Sequence, residues 1–302
     1  MKEIQVLLSS YNGEKYIKEQ IDSILTQKNV DIQLLIRDDG SSDGTRQILK
    51  EYADKYANVS VVYGENVGVI RSFFELIESA DVSVPYVALA DQDDVWLLDK
   101  LYRAITLLEM EKERMPLVYC SARQLVDAEL HPIPAAMTYP EIRPEFGNAL
   151  VENMCTGCTS VINQQMLLLL KGRTPEFTVM HDFWMYLVGT CLGKVVYDEE
   201  SFILYRQHGN NVVGSASSIV ENYKRRIKNF RKHRGQLTKQ AEELLRIYRE
   251  EMPGEKRELA ELLIQTKKNK NIRWKLIKEG MVFRQRKSDD WIMQILLLLG
   301  LV

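Results

Sequence analysis

Cysteine and histidine are both scarce, with four of each among 302 residues. Cys120, Cys155, Cys158 and Cys191 include one C-x-x-C pair, but no second pair and no histidine at zinc-finger spacing accompany it, which argues against a structural zinc. A secretory signal is also missing, because Met1-Lys2-Glu3 leads straight into a strand-like run. A reducing cytosol and free, buried thiols are therefore expected. No apolar run reaches the roughly 20 residues that span a bilayer. Strong net charge is absent too, at -2, yet that figure hides a division. Residues 221–290 carry 21 basic and 11 acidic side chains, a balance of +10, which leaves 19 basic and 31 acidic elsewhere. An acidic body joined to a basic tail implies a cation site in one and an anionic surface facing the other.

The 45% of hydrophobic residues suffices for a large core. Ile4–Leu8, Ile32–Ile36, Val59–Tyr63 and Tyr86–Ala90 are short apolar runs, and helical spacing follows the first three, over 14–27, 45–56 and around Phe73 to Ile77. Alternation of this kind predicts an α/β fold with a mostly parallel sheet flanked by helices. Further along, a helix is predicted over 98–114 and strands at 117–121 and 157–162. Prolines 132, 134, 140 and 144 mark loops over a site between 122 and 153, and a helix begins at Asp182. From Ile219 the composition is helical and basic. The expected domains are 1–218 and a helical C-terminal extension, 219–302.

Ligands of such sheets bind at the carboxyl ends of the strands, where Ser9 to Asn12, Asp38 to Asp39 and Asp91 to Asp94 all fall. The last of these loops, Asp91-Gln92-Asp93-Asp94, packs three carboxylates into four residues. Like charges this close raise one another's pKa unless a cation neutralises them, and hard oxygen donors suit Mg²⁺ or Mn²⁺. The same residues also fit a plain helix start, with Asp93 or Asp94 capping a helix from about Val95.

Taken in order, Ser9-Ser10-Tyr11-Asn12-Gly13-Glu14, Arg37-Asp38-Asp39-Gly40-Ser41-Ser42-Asp43-Gly44-Thr45, Asn66-Val67-Gly68 and Asp91-Gln92-Asp93-Asp94 resemble the loops of family 2 glycosyltransferases of GT-A fold. Thr156-Gly157-Cys158-Thr159, His181-Asp182-Phe183-Trp184 and Tyr205-Arg206-Gln207-His208-Gly209-Asn210-Asn211 are similar to the bacterial rhamnosyltransferase-like branch.

The resemblance implies a nucleotide-sugar site built from Ser10, Tyr11, Asn12, Glu14, Asp38, Asp39, Asn66, Gly68, Arg71, Asp91 and Gln92. Within it Tyr11 stacks on the base, Asp39 or Asp38 accepts the base N–H, and Arg71 meets phosphate. Asp93 is the implied ligand of a divalent cation, Mn²⁺ or Mg²⁺, with His208 completing the shell or donating to the diphosphate, Asp91 near the ribose and Asp94 open. Asp182 resembles the catalytic base. The family more often has Glu where His181 stands, so that ring either assists the acceptor, fixes Asp182 or fills space. Gly157, Cys158, Trp184 and Arg206 complete the acceptor or phosphate region. Trp96 and Trp184 suit either sugar packing or the core.

These roles imply an inverting, metal-dependent transferase. It moves a sugar, with rhamnose from dTDP-rhamnose as first choice, to a hydroxyl of a glycan or polyprenyl-linked glycan in surface polysaccharide synthesis. A UDP-hexose donor is the alternative, as is a non-catalytic nucleotide-sugar-binding scaffold. A sugar-phosphate nucleotidyltransferase is disfavoured, because Ser9 to Glu14 has only one glycine. No nucleic-acid partner is expected. The apolar run Trp291–Val302, with Trp274 and Phe283 among bases, suits an interfacial anchor at the inner face of the cell membrane.

Overall fold

The computed structural model describes residues 1–111, 114–134, 141–207 and 235–302. His208, the basic run 224–234 and Pro140 lie outside the described residues. The chain divides into two compact units. One comprises residues 1–135, 155–174 and 193–208, the other 136–154, 175–192 and 209–302. Segments 136–154 and 175–192, which the sequence assigns to the N-terminal domain, thus group with the C-terminal helices.

The first unit is built on an eight-stranded sheet with β1 (Lys2–Ser10), β2 (Val30–Asp38), β3 (Val59–Tyr63) and β4 (Tyr86–Ala90). These four run parallel in the order β3-β2-β1-β4, with α1 (Ile17–Leu25), α2 (Thr45–Lys55) and α3 (Val69–Ser79) as crossovers. Central β1 is an almost unbroken buried run because helices cover both of its faces. α3 is amphipathic and turns Phe73, Phe74, Leu76 and Ile77 inward.

Beyond β4 the sheet continues through β7 (Val161–Asn163), β6 (Leu117–Val126), β8 (Lys194–Arg206) and β5 (Val95–Trp96). β7 is antiparallel to both its neighbours, β6 and β8 are parallel, and β5 is antiparallel to β8. Three expectations change here. No helix begins at Val95, where the chain instead adds β5 and starts α4 only at Lys100 (Lys100–Glu109). Gly157–Thr159 is a 3-10 turn rather than strand, with β7 after it. The 122–153 segment is only partly loop, since β6 reaches Val126 and α5 spans Phe146–Ala149. After β7 comes α6 (Gln164–Leu170), capped by the Asn163 side chain.

The second unit is helical, comprising α5, α7 (His181–Leu192), α8 (Gln236–Tyr248), α9 (Gly254–Gln265), α10 (Lys270–Lys278) and α11 (Lys287–Leu299). Tyr186 of α7 donates to Asn148 of α5 at 2.7 Å, and Asn148 donates onward to Glu152 and to the Phe283 carbonyl. All four cysteines are buried and unbridged.

Candidate active site

The carboxyl ends of β1, β2 and β4 present three loops that bond to one another. At the end of β1, the Asn12 N–H donates to Ser41, Gly13 N–H to Thr45 at 2.8 Å and Glu14 N–H to Asp43, while Glu14 and Asn12 side chains accept from the Gly44 and Ser42 amides. Asn12 and Glu14, expected as nucleotide contacts, serve in this way to lace two loops. Gln92 does the same from the acidic loop. Its Oε1 accepts from Ser10 Oγ and the Tyr11 N–H, and its Nε2 donates to the Tyr11 carbonyl at 3.0 Å. Its amide is engaged with the loop that follows β1, and Tyr11, held by both its backbone groups, is 47% exposed.

Asp38 and Asp39 are both buried. Asp38 accepts from Arg46 and the Ser41 amide. Asp39 pairs with Arg37 and accepts the N–H groups of Val67 and Gly68 at 3.0 and 2.9 Å, so it caps the Asn66-Val67-Gly68 loop. Arg37 reaches on to Glu75 and Ser72 of α3. Gly40 is required opposite this loop, because its φ is +82° and an added Cβ would stand 2.8 Å from the Asn66 nitrogen. Arg71 is exposed, like Arg46, and lies 3.5 Å from Glu75.

The acidic loop gathers Asp91, Asp94 and Cys158, whose ligand atoms lie within 4.8 Å of one another. Asp93, the expected metal ligand, is outside that cluster, and Asp91, expected at the ribose, is inside it. Asp94 Oδ1 accepts the Arg206 amide at 3.1 Å, whereas its buried Oδ2 has no hydrogen-bond partner among the described residues. Burial, with the charge of Asp93 beside it, pushes the Asp94 carboxyl up to about 7. Burial likewise pushes the Cys158 thiol up, helped by Asp94 and Asp91, and drives the Lys100 ammonium down to about 7. Lys100 Nζ sits 3.6 Å from the centre of the Trp96 ring, which places Trp96 in the core. Two carboxylates with one buried oxygen unsatisfied fit a hard divalent cation, which would supply the missing partner.

Arg206, expected in the acceptor or phosphate region, is buried. Its guanidinium donates to the Asp93 carbonyl at 2.8 Å, to the Ala128 carbonyl and to Glu19, and it lies 4.6 Å over the Tyr16 ring. Gly157 and Cys158 form the buried turn below, and Thr156 accepts from Arg123.

In the second unit, Asp182 stands in the first turn of α7 and accepts from the Phe183 amide and from Asn153 Nδ2 at 3.0 Å. Both bonds go to Oδ1, and together they orient the carboxylate. His181 is buried, and burial lowers its ring to about 3, so it is neutral at ordinary pH. Trp184 is fully buried with its ring tilted 6.3 Å from Tyr248, which resolves its two readings in favour of the core. The sequence reading gave Arg37 and Asn153 no role of their own and fits Lys100 to solvated surface, whereas Lys100 is buried.

A mostly parallel sheet with acidic loops at its strand ends, followed by C-terminal helices, is the GT-A glycosyltransferase architecture. Solved structures share it: TarS 1–349 of S. aureus in complex with UDP-GlcNAc (TM-score 0.58, 18% identity, 88% of this chain and 72% of that one). So does the mannosyltransferase PcManGT of Pyrobaculum calidifontis in complex with GDP-Man and Mn²⁺ (TM-score 0.57, 14% identity, 90% and 71%). Residues 5–168 match the model of glycosyl transferase family 2, and the chain belongs to that family. A dTDP-rhamnosyl transferase, RfbG of Shigella flexneri, is 31% identical over 235 residues, 72% of this chain and 77% of the relative. A putative teichuronic acid biosynthesis glycosyltransferase, TuaG of Bacillus subtilis, is 32% identical over 160 residues, 53% and 61% of the two chains. The protein is a glycosyltransferase.

Proposed function

We propose that this glycosyltransferase moves a single sugar from a nucleoside diphosphate to a glycan hydroxyl by one inverting displacement, assisted by a divalent cation. Rhamnose from dTDP-rhamnose is the preferred donor, supported by the similarity to RfbG, and a UDP-hexose is the alternative. The observation that carries the reading is the cluster of Asp91, Asp94 and Cys158 at the end of a parallel strand, with one buried Asp94 oxygen unsatisfied.

Each residue has a task its surroundings suit. Tyr11, pinned through its backbone by Gln92, offers an exposed ring face to the base. Asp39 holds the loop against which the nucleotide lies, and its Oδ2, or Oδ1 of Asp38 beside it, accepts one hydrogen bond from the protein and keeps a lone pair for the base N–H. Arg71 has the free length and exposure to meet phosphate. Asp91 and Asp94, together with Asp93 and His208, are the residues that would hold Mn²⁺ or Mg²⁺. The bound cation supplies Lewis-acid stabilisation of the departing diphosphate. Asp182, oriented by Asn153, takes the proton from the acceptor hydroxyl. The acceptor is a glycan or polyprenyl-linked glycan at the cytoplasmic face of the membrane, where the C-terminal helices hold the enzyme.

Donor turnover tests this. With Mn²⁺ and dTDP-rhamnose, slow hydrolysis should release a sugar of inverted anomeric configuration, detectable by NMR before it equilibrates. Asp182→Asn should reduce that turnover by at least about 100-fold, the lower end of general-base contributions, while leaving donor-induced thermal stabilisation intact. Turnover indifferent to both metal and Asp182 would overturn the mechanism. Stabilisation by UDP-sugars alone would transfer the donor assignment to the hexose alternative.

A further inference from the structure

The residue pattern around Arg206 assigns a role that neither charge nor sequence position announces. Arg206 ends β8, is buried, and spends its guanidinium on three separate segments. Nε donates to the Asp93 carbonyl at 2.8 Å, and the two remaining nitrogens reach the Ala128 carbonyl and the Glu19 carboxylate. Its planar face covers Tyr16 at 4.6 Å, and its own backbone N–H bonds to Asp94 Oδ1 at 3.1 Å. Directly beyond the acidic loop, Val95 and Trp96 pair with Leu204 and Ile203, so the loop leaves along the same strand that carries the arginine. Two bonds to adjacent residues of a four-residue loop, from one side chain and its own amide, hold the backbone at Asp93 and the carboxylate of Asp94.

We propose that Arg206 is a positioning residue that holds Asp93 and Asp94 in the geometry that receives the divalent cation, and that it does not bind the donor's phosphates itself. The inference rests on the cation reading above. Three acceptors already claim a guanidinium that is 2% exposed, and reaching a phosphate would require breaking a pairing with Glu19 and exposing Tyr16. A planar fork with donors in several directions suits this task, and a lysine has no equivalent. Groups that orient metal ligands from behind are worth about 10- to 100-fold in metal affinity.

The test measures Mn²⁺ binding by electron paramagnetic resonance, with and without dTDP, alongside dTDP binding in metal-free buffer. In Arg206→Met, Mn²⁺ affinity should fall by at least about tenfold while metal-free nucleotide affinity stays within about twofold. Arg206→Lys should recover only part of the loss. A phosphate-binding arginine would give the opposite pattern, weakening metal-free nucleotide binding, and would overturn the proposal. So would unchanged Mn²⁺ affinity. If Arg206→Met does not fold, Glu19→Gln decides the matter: it removes one half-exposed anchor of the clamp and should lower Mn²⁺ affinity in the same direction by a smaller factor. No Mn²⁺ binding by the wild-type protein would instead defeat the cation reading from which the proposal starts.

Discussion

At the scale of single residues, chemistry-bearing side chains were legible where they end a strand and hidden where their partner is remote. Asp39 is recognisable because an apolar run stops at it and a turn follows. Arg37, two residues before it, is its cation, but the Ser72 and Glu75 side chains that Arg37 also reaches lie more than thirty residues away and leave no local trace. Asn153 holds Asp182 across 29 residues, a pairing visible only in three dimensions. His181 illustrates a further limit: its position leaves open whether the ring assists the acceptor, fixes Asp182 or fills space, and burial decides its charge. Its ring is held down from the ordinary 6.5 to about 3. Between these two values the unfolded chain binds a proton that the folded chain refuses. Stability therefore falls as pH drops through that window, with the slope of one proton, and is unaffected by this residue above pH 6.5. In His181→Gln that contribution is absent. Urea unfolding at pH 7, 6, 5 and 4 should show the wild type losing stability relative to the variant as pH falls, whereas parallel curves would show that the ring titrates normally.

At the scale of elements, strands with uninterrupted apolar runs were readable and those with charged interiors were not. β8 extends over thirteen residues, yet Asp198-Glu199-Glu200 breaks its apolar pattern. The structure shows why the strand survives: Asp198 accepts from Arg103 and Tyr119, and the register to β6 shifts at that point. β5, with two residues, is too short to carry any period and exists because β8 offers an edge. Several residues that the sequence reading takes for nucleotide contacts also lace loop to loop, a task no local pattern shows. Gln92 is the clearest. Gln92→Ala removes three hydrogen bonds around Ser10 and Tyr11 that are largely open to water, so global stability should drop by only about 1 kcal/mol. Donor affinity should weaken by about tenfold, equivalent to roughly 1.4 kcal/mol, because the Tyr11 backbone is released. Calorimetric titration against denaturant unfolding separates the two. A loss of stability without a loss of donor affinity would show that Tyr11 does not support the nucleotide.

At the scale of the whole molecule, the charge asymmetry of the sequence acquires a surface. α11 buries Asp289, Met293 and Leu297 on one face and exposes Trp291, Ile295, Leu298 and Leu299 on the other, a stripe at helical spacing. Arg273 of α10 donates to the Leu298 carbonyl at 3.1 Å, and Trp274 beside it is 59% exposed. Lys268, Lys270, Lys275, Lys278 and Lys287 are exposed on the same two helices and their approaches. No helix among the described residues is long and apolar enough to cross a membrane. Apolar side chains flanked by lysines match the interfacial layer of an anionic bilayer, where burying the stripe and bringing each lysine near the surface add, the latter by about 1 kcal/mol apiece. The two contributions have different signatures. Co-sedimentation with phosphatidylglycerol-containing vesicles should weaken as salt rises, and Trp291→Glu with Ile295→Glu should reduce it by at least about tenfold at any salt concentration, since each replaces a gain from apolar burial with a charge. Donor-induced stabilisation should be unchanged in that double variant, because both substitutions lie on a helix of the second unit while the nucleotide loops belong to the first. Undiminished vesicle binding by the double variant would remove α11 as the docking face, and a concentration-dependent change in sedimentation mass without vesicles would assign the stripe to a second copy of the chain.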